Sequence, residues 1–229
     1  MEVFSQPSDR DLALIHALFA VIAAVTLLAP IPMVMGDRIL ALVIVYSILI
    51  LYGAIQRGYR EWIDIWLFSI ILSMLMIMPD WFLVAQLNVL TFPVDGTPMI
   101  GPIPLYMGGL WAIPFFIIIY LGNRIEEWVG GILVNVIVAL IALIIFGIAE
   151  ATLWALPSWQ AQNVFMIGHV AVYILFPEMI LGLAVFVTYA QVRERQIWRK
   201  IHWAFLTMLV YMGSISFFYF LIERIILQA

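Results

Sequence analysis

What most constrains this chain is a recurring run of about twenty apolar residues, closed each time by a short stretch of charge, glycine or proline. The runs fall at 12–35, 39–55, 62–83, 104–121, 128–149, 165–189 and 201–225. A helix needs about 20 apolar residues to cross a hydrocarbon core about 30 Å thick. The pattern therefore reads as an all-α, polytopic integral membrane bundle of about seven transmembrane helices, a single domain over residues 1–229. The chain is 66% hydrophobic and 10% charged, against about 45–50% and about 25% in soluble domains. The second run is short and is separated from the first only by Gly36, Asp37 and Arg38; if those two runs form one re-entrant unit, the count falls to six.

The first run follows an acidic segment, Met1 to Asp11, and is too long for a signal-peptide core, so it reads as a retained span. The absence of cysteine rules out disulfides and thiolate metal sites, and the thin net charge of −4 offers no nucleic-acid patch. With seven spans, Arg10, Arg57, Arg60, Arg124, Arg193, Arg195, Arg199 and Lys200 share one side, and only Arg38 and Arg224 the other. Cytoplasmic loops collect Lys and Arg. The N-terminus is expected in the cytoplasm and the C-terminus outside, in a bacterial cytoplasmic membrane. Trp62, Trp128, Trp198 and Trp203 on the inner side, with Trp81, Trp154 and Trp159 on the outer, suit aromatic belts.

The outer loop 84–103 is long, rich in Pro and Gly, and without Lys or Arg. Long ordered loops are usually functional or lid-like, so it reads as a roof on the bundle mouth or as a plain cap. Ionisable groups within spans are costly and are functional candidates by default. Glu178, after Pro177, falls near the middle of the sixth span; Asp80, after Pro79, falls near the outer end of the third. Each proline removes a backbone donor and frees a carbonyl one turn earlier. Glu150, His169 and Glu223 share the outer half with Tyr106, Trp111, Trp154, Tyr173, Tyr219 and the loop's Asp95. Against these stand bland readings. Glu178 packs on Asn135 or Ser214, Asp80 ends a helix, His169 bonds a carbonyl, Glu223 pairs with Arg224, and Asp64, His16 and His202 are solvated near their span ends.

The exclusions are sharper. The only lysine, Lys200, lies at the start of the last span, so a retinal Schiff base has no anchor. His16 and His202 are expected on the inner side and His169 on the outer, so no bis-histidine cofactor or three-histidine metal site is expected. Glu126-Glu127 has no downstream histidines of a metalloprotease, and there is no phosphate loop, serine elbow or basic cluster for a diphosphate. No cofactor is expected.

Two classes of function survive. One is an enzyme that acts on a lipid or isoprenoid by metal-free acid–base chemistry. Asp80 or Glu178 would be the acid, with the other carboxyl or His169 as acceptor. Trp81, Asp95, Tyr106, Trp111, Phe115, Glu150, Trp154, Tyr173 and Tyr219 are candidates for the substrate wall, since aromatic faces stabilise carbocations. The other is a small proton-coupled transporter using Glu178, or an accessory subunit, with Pro30, Pro32, Pro79, Pro114 and Pro177 breaking helices and Gly108-Gly109 and Gly130-Gly131 permitting close contacts. A transporter would need a polar path to both sides and usually shows an internal repeat; neither is apparent.

The segment Phe92-Pro93-Val94-Asp95-Gly96, continuing to Ile103-Pro104-Leu105-Tyr106 and Trp111, together with the size and seven-span layout, resembles small bacterial membrane enzymes of isoprenoid metabolism, namely carotenoid hydratases and membrane-bound terpene cyclases. The paired acidic motif of heterodimeric lycopene cyclases is absent, and Pro177-Glu178 is a partial counterpart. The resemblance implies protonation-initiated cyclisation, hydration or isomerisation of an isoprenoid.

Overall fold

The computed structural model describes residues 6–227; residues 1–5, with Glu2 of the acidic N-terminal segment, and 228–229 lie outside it. Among the described residues seven helices are long and apolar enough to cross a membrane: α1 Pro7–Leu28, α2 Met35–Arg57, α3 Arg60–Leu87, α4 Met107–Glu126, α5 Gly131–Ala155, α6 Val172–Val192 and α7 Ile197–Ile226. The chain is thus an all-α integral membrane protein.

The second run is a complete helix of 23 residues and not half of a re-entrant unit. Arg38 shows why the tight turn before it holds. Its guanidinium donates to the Thr26 and Leu27 carbonyls, which the end of α1 leaves open, and to the Ala29, Ile31 and Met33 carbonyls of the turn itself. At the other end of α2, Gly58 closes the helix with φ 72°.

α3 is the hub of the bundle, packed against α2, α4 and α7; α5 and α6, and α6 and α7, form the closest pairs. No hydrophobic force favours helix association in lipid, so close packing must supply the energy. At Gly182 of α6 an added Cβ would lie 2.1 Å from Ala142 Cβ of α5, so the two backbones meet at a distance only glycine permits. Gly130-Gly131, expected at a helix contact, instead turns the chain between α4 and α5, with φ 67° and 62°.

Pro79 offers no N–H to the Leu75 carbonyl, and the regular helix stops at Leu75 before resuming at Ile77. α3 ends in a widened turn, Leu83–Leu87, closed by Asn88 at φ 53°. Pro177 does not have that effect. α6 opens with a tight turn, Val172–Ile174, and becomes a regular helix at Leu175; Pro177 sits in the first turn of that regular part, where no bond is lost, and Glu178 lies in the same turn and not at mid-span. The expected sixth span began too early because residues 166–171 form a hairpin, β5 Met166–Ile167 with β6 Val170–Ala171, turned by Gly168 at φ 65°. A second hairpin, β2 Met99–Ile100 with β3 Ile103–Pro104, turns at Gly101. β1 Leu90–Thr91 pairs with β4 Gln160–Ala161 and ties the long loop to the α5–α6 connection.

The far end of the bundle is held by buried ion pairs. Arg124, 5% exposed, meets Asp9 at 2.8 Å, Glu61 at 3.0 Å and Glu127 at 2.8 Å, while the Tyr120 hydroxyl donates to Asp9 at 2.6 Å. Lys200 is buried and reaches Asp64 at 2.8 Å and the Val192 carbonyl at 2.9 Å. Asp64 is therefore an ion-pair member and not a solvated end group. His16 is likewise engaged, 3.0 Å from the Leu12 carbonyl and 3.2 Å from the Tyr46 hydroxyl. Trp62 is wholly buried in the core and not part of an interfacial belt, whereas Trp128 and Trp198 are exposed.

Candidate active site

The end of the bundle that carries the hairpins holds a cavity of about 260 Å³. Three carboxyl groups from three helices line it: Asp80, just past the break in α3; Glu150, near the end of α5; and Glu178, in the first regular α-helical turn of α6. Asp80 and Glu178 are almost fully buried, at 2% and 3% exposure. Among the described residues no Lys, Arg or His lines the cavity. The rest of the wall is apolar or aromatic, with Trp111, Phe146, Trp159, Tyr173 and Tyr211 among it, and Leu90 and Phe92 of the long loop close the top.

The three acids are held differently. The Trp111 indole N–H donates to Asp80 Oδ2 at 3.2 Å. The Trp159 N–H donates to Glu150 Oε1 at 3.1 Å. Glu178 Oε2 is buried with no hydrogen-bond partner, and the Ser214 hydroxyl, one expected neighbour, is turned to the Tyr211 carbonyl. Among the described residues Glu223 Oε1, Ser69 Oγ, Ser73 Oγ and the Trp62 and Trp66 indole N–H groups share that condition, and Glu178 is the one of them that lines the cavity. Trp111 is fixed by a stacked Phe115 at 5.7 Å and by Phe146 and Tyr211 at 5.6 and 6.0 Å. Tyr173 is braced edge-on by Tyr219 at 5.6 Å.

Of the residues expected at the site, Asp80, Trp111, Glu150, Tyr173 and Glu178 line this cavity, with Phe115 and Tyr219 behind its wall. The others do not meet there. His169 is exposed on the β5–β6 turn, where it stacks on Trp154 at 3.6 Å, so neither ring reaches the carboxyl groups. Trp81 lies over Gly101, where an added Cβ would meet its ring at 2.3 Å. Asp95 staples the loop to the start of α2: its carboxylate accepts from the Gly36 N–H at 2.9 Å and the Thr97 N–H at 3.0 Å, and the Thr97 hydroxyl donates to Asp37 at 2.7 Å. Tyr106 donates its hydroxyl to the Ser158 carbonyl at 2.8 Å, and burial pushes that hydroxyl above its ordinary range, with Asp95 and Asp80 adding to the effect. Glu223 accepts the Phe165 N–H at 3.0 Å.

Phe146, Trp159 and Tyr211 were missed, although Val134, Val138, Ala142 and Phe146 form a buried stripe on α5 at a spacing of four. Tyr211 carried a signal, since Ala204, Met208, Tyr211, Ile215 and Tyr219 form one buried stripe on α7 at helical spacing. Trp159 carried none, because it lies in an irregular segment between helices.

The fold and site define an integral membrane protein with an acid-lined apolar cavity. The chain belongs to the family described as a domain of unknown function (DUF6989), whose model matches residues 77–222 and so includes all three carboxyl groups and every aromatic wall residue named above. No curated protein and no solved structure matches the chain.

Proposed function

We propose that this protein is a membrane enzyme that acts on an isoprenoid or similar unsaturated lipid by acid–base chemistry. The observation that carries the reading is the convergence of Asp80, Glu150 and Glu178 on one apolar, aromatic-walled cavity without a cationic side chain. A cavity of that make-up suits an uncharged hydrocarbon better than a diphosphate, which calls for Arg or Lys.

In this reading Glu178, in its acid form, gives its proton to a substrate double bond. The π pair forms the new C–H bond, the O–H pair stays on the carboxylate, and a carbocation results. The faces of Trp111, Tyr173 and Tyr211 stabilise that cation, each by up to about 2 kcal/mol in a dry site. Asp80 or Glu150 then removes a proton, either from a neighbouring carbon, which completes isomerisation or cyclisation, or from a water that has added, which completes hydration. Return of that proton to Glu178 restores the site. Glu150 takes the role expected of His169. The Lys and Arg distribution supports a cavity in the external half of a bacterial cytoplasmic membrane. Pro79 and Pro114 interrupt spans, the regular helix stopping at Leu75 and at Leu110, whereas Pro30, Pro32 and Pro177 do not; transport is less well supported because no internal repeat accompanies these breaks.

The test is product formation. Membranes containing the protein are incubated with linear isoprenoids and products are sought as isomers or water adducts by mass spectrometry. Glu178→Gln should abolish product while the variant remains folded in detergent; full activity in that variant would overturn the assignment.

A further inference from the structure

A second cavity, about 460 Å³, lies between α1 and α4 and is lined by Asp9, Arg10, Leu12, Ala13 and His16 with Ile117, Tyr120 and Leu121. Ile117 also lines the carboxyl cavity, together with Ile113 and Pro114. Residues 113, 117 and 121 are spaced four apart, so one face of α4 passes from the first cavity to the second. From Leu110 to Leu121 that face runs about 16 Å at 1.5 Å per residue. One side chain, that of Ile117, is common to both cavity walls. Ile113, Pro114, Ile117 and Leu121 are only half-buried, as is Ile145 across from them on α5, so the face is also reachable from lipid. The wall opposite belongs to α1, the least embedded helix, with 6% of its apolar window buried.

We infer that the two cavities form one binding track for a linear isoprenoid chain, whose reacting double bond lies at the carboxyl groups and whose remaining length passes Ile117 into the cavity beside α1. The inference rests on reading the carboxyl cavity as the reaction site, and it narrows the substrate class to long chains. A short isoprenoid fills the first cavity alone. A long one gains the apolar contacts of Leu12, Ala13 and Leu121.

The test compares binding of geraniol with that of geranylgeraniol to the full-length protein in detergent, alongside turnover of each. The longer alcohol should bind at least about tenfold tighter, since each buried methylene contributes. Leu121→Trp fills only the second cavity and should remove that advantage while geraniol binds as before; Ile117→Ala widens the junction and should increase it. An unaltered advantage in both variants overturns the track, and if product still forms in a Glu178-dependent way the catalytic reading stands without it. Length-dependent binding that Leu121→Trp abolishes, without product and without any effect of Glu178→Gln, upholds the track and overturns the catalytic reading. Binding of neither alcohol overturns both.

Discussion

Trp111 donates its indole N–H to Asp80 Oδ2 at 3.2 Å while its ring lines the cavity beside Tyr211. One side chain thus orients an acid and supplies an aromatic face. Trp111→Phe keeps much of the face and removes the donor. A hydrogen bond to a charged group is worth about 1.5–3 kcal/mol, so turnover should fall about tenfold to a hundredfold. Trp111→Ala removes both contributions and should fall further. Equal rates for wild type and Trp111→Phe, measured by product mass spectrometry, would separate Asp80 from the chemistry.

Glu178→Gln removes a proton donor without changing shape. General acid catalysis contributes about 10²–10⁴-fold, and a loss of that size is expected. Because Oε2 has no partner to lose, the thermal unfolding midpoint in detergent should stay close to that of wild type. A large drop in the midpoint would make Glu178 a packing residue.

Among the described residues Arg124 is the cation that pairs with Asp9, Glu61 and Glu127. Arg124→Met leaves the buried Asp9 carboxylate without its cation, and breaking a buried pair in this way costs about 3–5 kcal/mol. The variant should unfold well below wild type. Asp9→Asn, which keeps the shape, should be milder. These effects are read as shifts in the detergent unfolding curve, with retained binding of geraniol, which occupies the carboxyl cavity alone, as the control.

Tyr106 ties the long loop's end to Ser158, and its hydroxyl titrates above its ordinary range because it is buried. A raised folded value means that the neutral hydroxyl is the form the fold prefers. Its contribution is therefore complete below the ordinary tyrosine value of about 10 and is lost only as pH rises through the higher folded value. Tyr106→Phe should cost about 1–3 kcal/mol through the Ser158 carbonyl left unpaired, and that cost should be constant from about pH 6 to about pH 9. A penalty that shrinks across this range in unfolding experiments would contradict the assignment.

Asp95 makes its two backbone contacts within the loop and to the start of α2 and does not line the carboxyl cavity, so Asp95→Ala should loosen the loop while the cavity's acids keep their contacts. The expected result is faster cleavage within residues 93–98 by limited proteolysis. Unchanged cleavage would show that the strand pairing of Leu90 and Thr91 holds the loop unaided.

Apolar runs long enough to cross a bilayer, the break made by Pro79, and the presence of Asp80 and Glu150 near one end were all determined by the sequence itself. Run length and the missing proline donor are local properties, and local properties survive without knowledge of neighbours. Where α6 begins was not of that kind. Apart from Gly168 and His169, residues 164–174 are apolar or aromatic, and hydropathy alone does not distinguish a hairpin at the bundle mouth from a helix inside it; the Gly168 turn does, once β5 and β6 pair. That placement moved Glu178 from mid-span to a helix start and took His169 out to an exposed turn. Only the tertiary structure decided which aromatics face the acids. Trp111 and Trp154 are alike as residues, but one is clamped between α4, α5 and α7 and the other stacks outside. The direction of a side chain depends on what packs against it, and those partners come from helices distant in the chain.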